Sequence, residues 1–173
     1  HDYLITSNSI FDPTSSDFTA AEWFKLSSPL NGIGKNIISQ RDGSGCSPSC
    51  LGRLWLGVTS PTSSPLPTVI TSFLGGSSVN GVTTLSENIW YHAVLTKQGP
   101  NSSAILTLYL NGAQDGPGGA LPISTSTGQI VIGANKNFNT SFFPGTLDEV
   151  AIWNRALTPA EIMTIYNMTL PLR

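Results

Sequence analysis

The fold is decided by residues 53–58, Arg-Leu-Trp-Leu-Gly-Val, in which apolar side chains alternate with others. Successive side chains of an extended strand point to opposite faces of the sheet. Leu54, Leu56 and Val58 therefore share one face, which we expect to lie in a hydrophobic core. Arg53, Trp55 and Gly57 share the other face. This period of two predicts a half-buried β-strand.

Similar short segments, rich in Val, Ile, Leu and aromatic residues, recur along the chain between clusters of Gly, Pro, Asn or Ser. This rhythm is typical of all-β proteins. Asn111-Gly112 follows one of these segments and predicts a tight hairpin turn, because both residues adopt positive φ readily. The predicted strands cover residues 3–7, 18–26, 36–40, 53–59, 69–74, 90–96, 105–111, 129–133 and 146–153.

A short helix is predicted near the C-terminal end, beginning at Thr158-Pro159-Ala160-Glu161. Thr158 is a good N-cap, Pro159 suits the first helical position, and Glu161 can complete a capping box. Ile162, Ile165 and Tyr166 follow at helical spacing and form an apolar stripe. Together the patterns predict an antiparallel sandwich of two sheets, with this helix packed against it.

The composition fits one extracellular or secreted domain better than other classes of protein. The 173 residues are 39% hydrophobic, enough for a two-layer core, and only 10% are charged. The net charge of -2 and the scattered basic residues give no patch for phosphates, so nucleic acid is a poor partner. No apolar run approaches the ~20 residues that cross a bilayer, so membrane insertion is not expected.

The two cysteines, Cys46 and Cys50, lie in a Cys-Ser-Pro-Ser-Cys segment that lacks the further ligands of a zinc site. We expect a local disulfide, which persists only in an oxidising compartment and so indicates export to the cell surface or beyond. Asn101, Asn139 and Asn167 begin Asn-x-Ser/Thr triplets, which agree with an exported glycoprotein but also arise by chance in a Ser/Thr-rich chain.

Three segments resemble the laminin-G-like jelly rolls of the concanavalin-A-like lectin/glucanase superfamily, over about residues 2–166. The segments are residues 17–25 (Asp-Phe-Thr-Ala-Ala-Glu-Trp-Phe-Lys), residues 90–96 with 108–112, and residues 132–134 with 145–157 leading into the helix. The third, Gly-Thr-Leu-Asp-Glu-Val-Ala-Ile-Trp-Asn-Arg-Ala-Leu, is the most specific. The resemblance implies a single jelly-roll domain over residues 1–173, with Trp90 and Trp153 in core-facing strands.

The chain departs from the family in two places. Glu22 is in phase with Phe18, Ala20 and Phe24, so it lies either on an open concave face or beside a partner. The family also begins with a further strand ahead of the part resembled by residues 2–5. A missing first strand would leave an unpaired sheet edge, which another subunit could fill by strand exchange. Alternatively, His1 marks only a processing boundary, or residues 2–5 match the family in a different register from the one assumed for this comparison.

Catalysis is not expected from the acidic residues. Glucanases with this fold use closely placed carboxylates on one face, as the resemblance implies. The four glutamates here, Glu22, Glu87, Glu149 and Glu161, are dispersed, and the adjacent Asp148 and Glu149 point to opposite faces of a regular strand. His92 is expected to be packed and hydrogen-bonded. A glycoside hydrolase is therefore the weakest alternative.

Calcium is the one metal that the sequence favours, because relatives often carry it and carboxylates suit a hard cation. Asp2 and Asp148 are the candidate ligands. The alternative for Asp148 is a structural role in which its carboxylate ties the preceding Gly145-Thr146 turn. No other cofactor is expected.

Sugar binding would need exposed aromatic rings beside amide and hydroxyl groups. Trp55 is a candidate because it opposes the leucine face of its strand, and Trp23 is a second candidate. Further candidates lie in one segment, Asn137, Phe138, Phe142 and Phe143, beside Asn135 and Asn139. For these rings, packing inside the fold is the competing interpretation.

The sequence thus predicts a non-enzymatic extracellular module for surface adhesion or assembly, which binds glycan or protein surfaces or associates with itself. A fibre-forming subunit that uses strand exchange is the sharpest form of this prediction. A carbohydrate-binding, lectin-like module is the alternative.

Overall fold

A computed structural model describes residues 3–6, 17–28, 30, 34–41, 54–60, 68–74, 77–100, 102–121, 129–134 and 142–170. Within these ranges the chain forms twelve strands and one helix. The elements are β1 (Leu4–Ile5), β2 (Phe18–Leu26), β3 (Lys35–Arg41), β4 (Leu54–Thr59), β5 (Val69–Leu74), β6 (Ser77–Asn80), β7 (Trp90–Gln98), β8 (Ala104–Leu110), β9 (Ala113–Gln114), β10 (Gly119–Leu121), β11 (Gln129–Ile132), β12 (Gly145–Trp153) and α1 (Pro159–Thr169).

The strands form two antiparallel sheets, as the sequence predicts. The first sheet has the order β1-β11-β3-β4-β5-β6, and the second has the order β10-β8-β7-β2-β12 with β9 paired to β8. Each of the nine predicted strands is present, with ends that differ by a few residues. The short strands β6, β9 and β10 were not predicted, because their Ser, Gly and Ala residues give little hydrophobic pattern.

The main core lies between the sheets and follows the alternation seen in the sequence. Leu54, Leu56 and Val58 are completely buried, which confirms the face assigned to them. In β2, Phe18, Ala20, Phe24 and Leu26 belong to the same cluster. Residues paired directly across neighbouring strands share a face, so the register carries this inner face from strand to strand.

A smaller cluster lies on the outer face of the second sheet, beneath α1. It contains Ala21, Val94, Tyr109, Leu157 and Ile162. The capping box is confirmed: the Glu161 backbone N–H donates to the Thr158 hydroxyl, and the Thr158 backbone N–H donates to the Glu161 carboxylate at 2.8 Å. The cap fixes the start of the helix, so that its apolar side can cover the sheet. Within the described residues, no helix is long and apolar enough to cross a bilayer.

The hairpin at Asn111-Gly112 is also confirmed. Asn111 has φ 51° and Gly112 has φ 83°, and β8 and β9 pair on either side. The positive angles at both positions are those of the tight turn that favours an Asn-Gly pair.

The structure places three tryptophans away from the main core and excludes one of them as an exposed platform. Trp90 pairs with Lys25 and Trp153 pairs with Thr19, so both lie on the outer face of the second sheet and not in the main core. The Lys25 ammonium lies 5.0 Å from the centre of the Trp90 ring. Trp23, a candidate for an exposed platform, is only 1% exposed. The physical reason is the helix, which buries part of a sheet face that a simple two-layer sandwich would leave in water.

Candidate functional site: a groove between the sheet edges

An open groove of about 410 Å³ lies where the edges of the two sheets meet. β1 is the outer strand of the first sheet and β12 is the outer strand of the second. The lining residues carry no charge and are Tyr3, Leu4, Ile132, Gly133, Phe143, Gly145, Thr146 and Leu147. The groove can therefore receive an apolar segment without burying an ion.

The backbone of β12 directs hydrogen-bonding groups toward this groove. Among the described residues, β12 pairs on one side only, with β2. The Ser27 N–H donates to the Pro144 carbonyl at 2.8 Å, and this fixes which pairs of the antiparallel ladder are hydrogen-bonded. Because hydrogen-bonded and non-hydrogen-bonded pairs alternate along the ladder, Leu147 and Phe24 form a non-hydrogen-bonded pair. The N–H and C=O of Leu147 consequently point away from β2, toward the open side.

Two groove residues that pack against the main core, Ile132 and Leu147, are only partly buried. Val150 and Ile152, further along β12, are partly buried in the same way. Leu4 is in register with Ile132 and faces the same way, yet it is 70% exposed. The described residues do not close the core on this side. An extended segment placed here would remove apolar surface from water.

A β-bulge interrupts β12 at the groove. The register shifts between Asp148 and Ala151, and Glu149 has φ 51°, a conformation that favours glycine. Asp148 Oδ1 accepts from the Glu149 N–H at 2.8 Å. The expectation of a regular strand at Asp148 and Glu149 is therefore wrong. The structural role expected for Asp148 was to tie the turn that precedes it. In the structure its carboxylate accepts a hydrogen bond from the bulge that follows it.

Glu22 is buried in the main core opposite this bulge. Its side chain is 0% exposed, and among the described residues neither carboxyl oxygen has a hydrogen-bond partner. Both alternatives offered by the sequence, an open face and a paired carboxylate, are thus wrong. Burial removes water from the carboxyl group and raises the pKa of Glu22 well above its ordinary value of 4.5. Burial thus favours the neutral form of this carboxyl group over the charged form.

The other glutamates are placed apart from Glu22. Glu87 is exposed in the turn before β7, and Glu161 forms a two-pronged ion pair with Arg155, at 2.7 and 3.0 Å. Hydrogen bonds from Arg155, and then from Thr158, lower the pKa of Glu161 to about 2. Asp148 pairs with Trp23 on the outer face, whereas Glu22 faces the core. Within the described ranges, no three His, Cys, Asp or Glu side chains form a group that could hold a metal ion.

The candidate sugar-binding rings lie in different environments. Trp55 is half-buried on the outer face of the first sheet and does not line the groove. Phe142 is half-buried beside Tyr3, with the ring centres 6.3 Å apart. Phe143 is 9% exposed and meets Phe24 edge-on at 6.0 Å, so it belongs mainly to the core.

Several predicted sites lie outside the described residues, and they remain predictions. They are the disulfide of Cys46 and Cys50, the calcium candidate Asp2, the ring and amide of Phe138 and Asn137, and the sequons at Asn101 and Asn139. Asn167 lies on the exposed part of α1. The groove residues Tyr3, Leu4 and Leu147 were not singled out from the sequence. For Tyr3 and Leu4, the only pattern in the sequence that could have pointed to the groove is the apolar run of residues 3–5. The exposure of this run depends on the order of the strands, which the sequence does not give.

The family of the chain follows from its sequence profile. A laminin-G profile, described as the concanavalin A-like lectin/glucanases superfamily, matches residues 1–163. The chain belongs to this family. The two-sheet laminin-G fold seen in the structure agrees with the match, and the resemblance in residues 17–25, 90–96 and 145–157 is confirmed. No curated protein sequence matches the chain.

Solved structures share the laminin-G fold at low sequence identity. One is domain 4 of AbnA, a GH43 extracellular arabinanase from Geobacillus stearothermophilus in complex with arabinotriose (TM-score 0.64, 16% identity, 95% of this chain and 72% of that chain). A heptameric SAP-like pentraxin from Limulus polyphemus is similar (TM-score 0.67, 17% identity, 95% and 75%). Trypanosoma rangeli sialidase is a third (TM-score 0.64, 15% identity, 91% and 23%). At these identities the similarity shows the fold alone.

Proposed function

We propose that this laminin-G domain is a non-enzymatic extracellular module for adhesion or assembly, and that its groove receives an extended segment of a neighbouring chain. The observation that carries the proposal is the open side of β12, where Leu147 turns its backbone polar groups outward while its side chain stays partly exposed. Added strands bind to such edges through main-chain hydrogen bonds, and pockets for alternate side chains give specificity.

The free energy for this association comes from two sources. An incoming strand would cover the partly exposed Ile132 and Leu147, at about 25 cal/mol for each Å² of apolar surface removed from water. Its backbone would also pair with the outward N–H and C=O of Leu147. Because the groove has no charged lining, neither contribution is offset by the desolvation of an ion.

The arrangement of carboxylates supports a role without catalysis. Hydrolysis of a glycosidic bond uses two carboxyl groups on either side of that bond. Glu22 is enclosed in the core, Asp148 belongs to the outer face, and Glu161 is held by Arg155 and the helix cap. A glycoside hydrolase stays the weakest alternative, and release of reducing sugar from a glucan by the purified chain would revive it.

The groove is tested by Leu147→Lys, which places a charge where the incoming strand would pack. Burying an unpaired ammonium costs several kcal/mol, so we expect self-association to require at least about 100-fold higher concentration. Light scattering and analytical ultracentrifugation over a concentration series measure the change.

Ile105→Lys is the matched control for this test, because Ile105 lies on β8, in the same sheet but away from the groove, and is 51% exposed. Thermal unfolding of both variants checks that they fold. Unchanged assembly of folded Leu147→Lys, or a wild-type chain that stays monomeric at every concentration, contradicts the proposal.

A carbohydrate-binding module is the second candidate, and half-buried Trp55 on the outer face of the first sheet favours it. Trp55→Ala should then weaken glycan binding by about 10-fold, because ring stacking is worth roughly 1 kcal/mol or more. A glycan array followed by calorimetry measures the loss. Trp90→Ala, on the outer face of the other sheet, is the control, and equal binding by both variants would exclude Trp55 as the platform.

A further inference from the structure

The strand β1 is an unusual surface feature of this domain. Tyr3 and the two residues of β1, Leu4 and Ile5, are 54%, 70% and 45% exposed, so three large apolar side chains in a row face water. Two register pairs, Leu4 with Ile132 and Ile5 with Val131, join β1 to β11. Thr6 adds a hydrogen bond from its N–H to the Ile130 carbonyl at 3.0 Å. So short a pairing buries little of the strand.

Building on the proposed function, we propose that the segment which fills the groove is residues 3–6 of a second copy of this chain. Among the described residues, no other exposed strand carries consecutive large apolar side chains. The remaining exposed large apolar residues occur singly in loops, in a strand already paired on both sides, or on the helix: Val82, Ile89, Ile105, Met163, Met168 and Leu170.

The chemistry of this segment matches that of the groove. Residues 3–6 are Tyr-Leu-Ile-Thr and carry no charge, like the lining of the groove. Tyr3 and Ile5 share one side of the strand, and Leu4 and Thr6 share the other. The side that carries Tyr3 and Ile5 can therefore cover the exposed part of Ile132 and Leu147, while the backbone pairs with the outward groups of Leu147.

The chain has enough length for this exchange. Ten residues, 7–16, separate β1 from the residues that lead into β2. Fully extended, such a segment spans up to about 35 Å, so β1 can reach a neighbour while β2 keeps its place in its own sheet. Release costs little, because two register pairs hold β1 where it lies. It also widens the groove of the donor copy, because Tyr3 and Leu4 line that groove, and leaves the lining from residues 132–133, 143 and 145–147 in place.

The exchange joins two different surfaces, a donor strand and an acceptor groove. Each copy has one of each, so the contact is head-to-tail, and repeating it generates a ring or an open filament. Donor and acceptor can consequently be inactivated separately in the full chain.

Ile5→Asp tests the donor, because Ile5 does not line the groove of its own chain, and Ile89→Asp is its control, because the two side chains are 45% and 49% exposed. We expect Ile5→Asp to raise the concentration needed for assembly by at least about 100-fold and Ile89→Asp to leave it unchanged. Mixing Ile5→Asp with Leu147→Lys is the decisive step. The first keeps a working groove and the second a working donor, so the mixture should form one-to-one dimers that grow no further.

The outcomes separate the two proposals. If Leu147→Lys blocks assembly but folded Ile5→Asp does not, the groove is used by another segment and this inference is wrong, while the proposed function stands. The same holds if the mixture stays monomeric although each variant is folded by circular dichroism. If neither variant affects assembly, the groove is not the site of association and both proposals fail.

Discussion

Trp23→Ala is expected to lower the free energy of unfolding by about 3–5 kcal/mol, the usual cost of deleting a buried tryptophan. Trp23 is 1% exposed, stacks on Tyr166 with ring centres 5.6 Å apart, and lies 5.2 Å from the ring of His92. Its indole N–H donates to Thr169 Oγ1 at 2.8 Å. One substitution thus removes packing, stacking and a hydrogen bond, all of which join α1 to the sheet.

Urea unfolding followed by circular dichroism measures this loss. Trp90→Ala is the control, since Trp90 is on the same outer face but half-buried, and a smaller loss is expected there. Thr169→Val removes the hydrogen bond and keeps the volume, so a double-mutant cycle with Trp23→Ala isolates that bond, at about 1 kcal/mol. A loss below 1 kcal/mol for Trp23→Ala would mean that α1 does not rest on Trp23.

Local patterns were sufficient to predict most of the fold. The alternation in residues 53–58, the Asn111-Gly112 turn and the Thr158 cap each depend on neighbours in sequence, and each is confirmed. The sequence left the environment of Trp23 open because β2 is apolar on both faces. Phe18 and Phe24 face the main core, whereas Ala21 and Trp23 face α1. Alternation tells which residues share a face but not which element covers it.

The groove could be anticipated only in outline. An unpaired edge beside the terminal strands was expected, and the structure places β1 and β12 at the outer ends of the two sheets. The exposure of Leu4 follows from its pairing with Ile132, which is more than a hundred residues away in sequence. The bulge at Glu149 likewise could not be predicted, because the residues Asp-Glu-Val are compatible with a regular strand. Whether the family's first strand is missing stays a prediction.

Glu22→Leu is expected to stabilise the domain at neutral pH by at least about 1–3 kcal/mol, the penalty of a buried polar group without a hydrogen bond. Leucine has a similar volume, and the surrounding core of Phe24, Ala93 and their neighbours is apolar. Replacing a buried ionisable group by an apolar one is often stabilising for this reason. Glu22→Gln should gain less, because its amide remains buried without a partner.

The gain from Glu22→Leu should depend on pH in a defined direction. Burial raises the pKa of Glu22 in the folded state above the ordinary value of 4.5, so above pH 4.5 the unfolded chain releases a proton that the folded chain keeps. The wild type therefore loses stability as the pH rises from 4.5 toward the raised pKa, by up to about 1.4 kcal/mol for each pH unit. Below pH 4.5 both states are protonated, and only the cost of burying the neutral carboxyl remains.

Chemical denaturation between pH 3.5 and pH 8, at protein concentrations below assembly, tests this pH dependence. Glu87→Leu serves as the control, because Glu87 is exposed and its replacement should shift stability by the same small amount at every pH. A gap between Glu22→Leu and the wild type that stays constant over this range would mean that Glu22 finds water or a partner in solution. The carboxyl would then be ionised beside the bulge, and the core on this side of β12 would be open to solvent more deeply than the groove alone implies.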